Sequence, residues 1–149
     1  MFNTHTKSRE LKLDTNNYIK ALFDLMKPRV MSLAVFTCVV GLVIAPEQVN
    51  FLSATLSILA VAIGSGAAGA LNMWYESDLD SLMSRTCLRP IPTGRLTRLQ
   101  ALIFGTVSSF VSVIALYFFS NLVAASLLAL TILFYVFIYT IWLKRKTPQ

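Results

Sequence analysis

Apolar residues come along this chain in four long blocks, at residues 30–45, 51–71, 101–119 and 122–143, with polar stretches between them. A helix needs about 20 mostly apolar residues to cross a bilayer, and the second block carries no charge at all. The pattern predicts an all-α membrane protein with four transmembrane helices. The first block reaches full length only if Leu25 and Met26 extend it past Lys27, Pro28 and Arg29. Ahead of it, "YIKALFDLMK" sets Tyr18, Ile19, Leu22, Phe23 and Met26 on one helical face. That face suits a helix lying along the membrane surface, or equally a lead-in to the first span.

Composition points the same way. The chain is 56% hydrophobic and 13% charged, with mean hydropathy +0.66, whereas soluble domains carry about a quarter charged residues. The polar N-terminus has no short apolar core with a small-residue cleavage site, so it is not expected to be a signal peptide.

Charge sets the orientation. All 13 Lys and Arg lie in the region before the first span, in the loop after the second, or after the fourth; "PEQVN" and "SN" hold none. Cytoplasmic loops carry the Lys/Arg excess, so both termini and the loop after the second span are expected in the cytoplasm, with the chain in a bacterial inner membrane. This distribution also explains the net charge of +6 without a nucleic-acid partner. Cys38 and Cys87 make no metal-binding spacing, and His5 sits in the polar tail as a solvated side chain. Near the end of the second block, Ala62, Gly66 and Ala70 recur every four residues, a stripe that lets another helix approach closely.

The unexpected stretch is "NMWYESDLDSLMSRTCLRP", residues 72–90, which follows the uncharged block directly. If the helix runs on, Asn72, Glu76 and Asp80 stack along one face, drifting by about 40° per step, while Asp78 projects to the other side. Two carboxylates so placed repel one another unless a cation lies between them. Oxygen ligands of this kind suit Mg²⁺, completed by waters and substrate phosphates. Arg85 and Arg89 follow, and guanidinium forks match phosphate oxygens. The spacing fits a Mg²⁺-diphosphate site at the membrane rim. An ordinary solvated loop fits it as well.

"NMWYESDLDSLMSRTCLRPIPTGRL" resembles the first aspartate-rich motif of the UbiA-type intramembrane prenyltransferases. Within that family, "LMKPRVMSLAVFT", "NMWYE" and "YTIWLKRKTPQ" are most similar to the members that farnesylate haem. The resemblance runs from about residue 22 to 149, and it divides the chain into a tail at 1–24 and a partial prenyltransferase domain at 25–149. It implies that Asn72, Glu76 and Asp80 hold Mg²⁺ on an isoprenyl diphosphate, with Asp78 as an auxiliary ligand. Arg85 and Arg89 would assist at the phosphates, as would Tyr139 and Lys144 at the end of the fourth span. Two departures stand out: Glu at position 76, where the family usually has Asp, and a five-residue Tyr–Lys separation where many relatives have four.

The implied substrates are farnesyl diphosphate and haem B, drawn from within membrane lipid. The implied fold has nine helices and a second aspartate-rich motif, but no Asp or Glu follows Asp80 here. The expectation is therefore the N-terminal half of a UbiA-type bundle, inactive unless a separately encoded C-terminal half is supplied. A UbiA-type enzyme acting on a quinone precursor, and a non-enzymatic four-helix membrane protein, are the alternatives.

Overall fold

The structure is a computed structural model that describes residues 4–143, with side chains from residue 15 to 138 and at Trp142. Among the described residues there are helices and no strands: α1 (Thr4–Leu25), α2 (Pro28–Ile44), α3 (Phe51–Leu82), α4 (Arg98–Phe119) and α5 (Leu122–Leu133). A wider π-helical stretch, Phe134–Leu143, continues α5. Helix α3 is the hub, packing most extensively on α4 and next on α2.

Helix α3 runs unbroken for 32 residues, or about 48 Å at 1.5 Å per residue. A hydrocarbon core is only about 30 Å thick, so roughly its last three turns stand clear of it. Nothing in "NMWYESDLD" breaks a helix, because the segment lacks Pro and Gly and its hydrogen bonding runs on uninterrupted. The polar residues after Leu71 are thus carried out of the membrane on the same rod that crosses it.

By length and composition, α3 and α4 are each able to span a bilayer. Helix α2 has 17 residues, about 26 Å, and reaches span length only jointly with residues Thr15–Leu25 across a 55° bend. The apolar stretch Leu122–Ile138 is likewise shorter than α3 and α4. The bend has a local cause. Pro28 opens α2 and disfavours helical geometry at the residue before it, and Lys27 accordingly adopts φ 50°, ψ 71°.

The small-residue stripe meets this bend rather than the flank of another long helix. A Cβ on Gly66 would collide with the Met26 side chain, and one on Gly69 would lie 3.2 Å from the Met26 carbonyl oxygen. The end of α1 buries Ala21 and Leu25, with Leu22 half-buried, against Ala70, Met73, Leu96 and Ala101, while Tyr18, Ile19 and Phe23 are exposed. The sequence pattern groups the exposed three with Leu22 and Met26. What settles the packing is the Ala21–Leu25 pair, four residues apart and one face over.

Candidate functional site

Beyond Leu71, α3 presents Asn72, Glu76 and Asp80 in a row, all buried at 1%, 3% and 4% relative exposure. Burial at a helix end needs compensation, because an unpaired buried charge is costly. The compensation is internal. Asn72 Nδ2 donates to Glu76 Oε2 at 3.0 Å, which ties the first two positions of the row together. Arg89 Nη1 donates to both Asp80 oxygens, at 2.8 and 2.7 Å, and lies 3.9 Å from Glu76 Oε2. One guanidinium thus stands at the mouth between the two carboxylates.

A folded-back loop delivers Arg89. The Thr86 hydroxyl donates to the Asp80 carbonyl at 3.0 Å, turning the chain as α3 ends. Arg89 N donates to Thr86 O, and Thr93 N to Arg89 O. Pro90 and Leu96 are buried beneath the loop, with Leu96 N bonded to Pro90 O. Gly94, at φ +74°, takes a left-handed turn that other residues enter at a cost. Arg95 donates to the Leu88 carbonyl at 3.0 Å and reaches Asp24 of α1 at 3.4 Å. A capping box of Thr97 and Gln100 then starts α4.

Asn72, Glu76, Asp80 and Arg89 are therefore brought together. Asp78 is exposed on another side of α3, and Arg85 is exposed at the loop surface. The side chain of Tyr139 and the whole of Lys144 lie outside the described residues. Sequence reasoning missed the direct Arg89–Asp80 pair, the Thr86 bond that makes it possible and the Asp24–Arg95 link. The available signals were Pro90 and Gly94, which mark a tight return of the chain toward α3.

Among the described residues, no cluster of three or more His, Cys, Asp or Glu side chains gathers to hold an ion. The oxygen donors on the α3 row are Asn72, Glu76 and Asp80. They fit a hard cation whose coordination is completed by waters and phosphate oxygens, rather than an all-protein cage.

Directly below this row lies a cavity of about 790 Å³ between α2, α3, α4 and α5, lined by Leu33, Thr37, Ser65, Gly69, Leu128 and Tyr135 among others. Ser65, Gly69, Asn72, Glu76 and Asp80 follow at three- and four-residue steps, so the cavity wall and the polar row share one face of α3.

Together these features define a helical integral membrane protein with a buried acid–amide row, capped by a partly exposed guanidinium, at the end of a long span and an apolar cavity beneath it. The family model for the UbiA prenyltransferase family matches residues 34–149, and the chain belongs to that family. It is 63% identical over 149 residues, all of this chain and 49% of the relative, to a protoheme IX farnesyltransferase of Pelagibacter ubique. It is 60% identical to the protein of that name from Methylocella silvestris, over 84% of this chain and 40% of the relative. The corresponding Sinorhizobium fredii protein is 58% identical over 85% and 40%. The chain thus spans about half the length or less of the curated relatives it matches. No solved structure matches it.

Proposed function

We propose that this chain supplies one side of the active site of a protoheme IX farnesyltransferase, which transfers the farnesyl group of farnesyl diphosphate to a vinyl group of haem B and so makes haem O. The observation that carries this reading is the buried Asn72–Glu76–Asp80 row with Arg89 across it, set directly above an apolar cavity on the same helix face. Relatives at 55–63% identity bear that enzyme's name.

In this reading the polar row receives the diphosphate and the cavity receives the isoprenoid chain. Bound Mg²⁺ would supply Lewis-acid charge for the leaving diphosphate. Glu76 and Asp80 would hold it, with the Asn72 amide keeping Glu76 in place. Asp78 and Arg85, both exposed, would act as auxiliaries at the aqueous edge, and Tyr139 and Lys144 would assist at the phosphates. The C1–O bond of farnesyl diphosphate breaks and the electron pair leaves with diphosphate. The vinyl carbon of haem attacks C1, and water adds to the resulting cation and loses a proton, giving the hydroxyethylfarnesyl group. The apolar walls keep water from the allylic cation before haem reaches it.

The same proposal puts the chain in a bacterial inner membrane with both ends cytoplasmic, as the Lys/Arg distribution favours. It also gives the chain a second polypeptide as partner, equivalent to the rest of the relatives' length. Co-expression with the C-terminal portion of the Pelagibacter relative should yield haem O in membranes supplied with farnesyl diphosphate, Mg²⁺ and haem B, read by chromatography and mass. The chain alone should yield none. Absence of haem O from the pair, under conditions where the intact relative makes it, would sink the reading. Prenylation of 4-hydroxybenzoate in its place would move the chain to quinone-precursor chemistry.

A further inference from the structure

We propose that Arg89 is a resident counter-ion which a divalent cation must displace, so that cation entry and the transfer of Arg89 onto diphosphate oxygens form one coupled event. This rests on the cation and diphosphate of the proposed function, and it adds a role for Arg89 that a plain phosphate contact does not have.

The geometry points to competition. A single nitrogen, Arg89 Nη1, serves both oxygens of Asp80, and the same atom lies within ion-pair range of Glu76, at 3.9 Å. A cation held by Glu76 and Asp80 would draw on those same oxygens, and two positive groups so close to one pair of buried carboxylates repel each other. Of the partners, Arg89 is the one able to leave: its side chain is 27% exposed, against 4% and 5% for Glu76 and Asp80.

Its backbone, by contrast, is pinned. Arg89 N bonds Thr86 O, Arg89 O accepts from Thr93 N, and the preceding carbonyl of Leu88 accepts from Arg95. A released guanidinium therefore swings on a fixed anchor and stays beside the carboxylates it left. The nearest anion there is the incoming diphosphate, which its planar fork suits. Until that exchange, Arg89 keeps two buried carboxylates from facing each other uncompensated.

The test uses the full 149-residue chain in lipid nanodiscs, with Mn²⁺ followed by paramagnetic resonance as the cation and inorganic pyrophosphate as the diphosphate. In R89Q, Mn²⁺ alone should bind about tenfold more tightly than in the parent, because no charge-assisted hydrogen bond has to be broken first. With saturating pyrophosphate the order should reverse, with R89Q about tenfold weaker because the phosphate partner is gone. A purely structural arginine would weaken both measurements, and a simple phosphate ligand would leave Mn²⁺-only binding unchanged. Either result overturns the proposal.

The unsubstituted chain gives an independent readout, made with guanidino-¹³C arginine. Mg²⁺ alone should shift an arginine band in the infrared difference spectrum as the Asp80 pair opens. Mg²⁺ binding without such a shift refutes the exchange. Separately, Mn²⁺ binding that survives D80N would reject the metal placement in the proposed function, whatever Arg89 does.

Discussion

At the scale of single residues, the rim cluster is a set of charges that stay buried by satisfying one another. Replacing Arg89 with Ala leaves Asp80 without its partner. We expect a loss of about 3 kcal/mol, the low end for breaking a buried pair, because about a quarter of the Arg89 side chain remains exposed; a thermal melt in detergent reads it. The exposed Asp24–Arg95 pair, with both side chains more than a third accessible, should matter far less, and D24N should cost no more than about 1 kcal/mol in the same melt. The four-residue spacing of Asn72, Glu76 and Asp80 made their shared face legible in the sequence. Arg89 was not legible as their partner. It lies nine residues beyond Asp80, off the end of the helix, and comes back only because Thr86 bonds the last carbonyls of α3 and Pro90 anchors the return.

Among the elements, close approach decides where small residues are obligatory. Gly69 faces a backbone atom, the Met26 carbonyl, which cannot step aside, and G69A should destabilise by about 1–3 kcal/mol through overpacking. A Cβ placed on Gly41 of α2, in contrast, would meet nothing within 4 Å. G41A should accordingly stabilise by about 0.5–1 kcal/mol, through helix propensity alone. Comparing the two melts separates packing from propensity. The start of α4 offers a third case: T97A removes the bond to Gln100 N and with it the capping box, at a cost of about 1 kcal/mol. The four helical blocks and the small-residue stripe were visible in the apolar pattern. The stripe's partner was not, because the sharp bend at Lys27 and Pro28 is what brings Met26 onto Gly66 and Gly69, and no periodicity encodes a bend.

On the scale of the whole molecule, the described helices leave broad apolar faces exposed, including Phe36, Val43, Phe110 and Phe118. That is the expected finish for surfaces that meet lipid or further helices, since neither setting rewards their burial against this chain. The family, the helical class and the site's position at a span's end follow from long-range patterning, which survives in half a sequence. The far wall of the cavity does not, because it depends on contacts across the bundle. One consequence of the unbroken α3 concerns the bilayer itself. The acidic row is rigidly coupled to the apolar stretch 51–71, about 31 Å long at 1.5 Å per residue, so its height above the lipid is fixed by the helix and cannot adjust by loop motion. A thicker bilayer must either thin around the helix or draw the carboxylates toward the headgroups, at a fraction of a kcal/mol per Å. On the proposed function, this chain reconstituted with the C-terminal portion of the Pelagibacter relative in phosphatidylcholines of increasing chain length should give haem O at a rate that peaks near a hydrocarbon thickness of about 30 Å and falls on either side. Bilayer thickness would then act as a control on a reaction whose chemistry takes place at the membrane's edge.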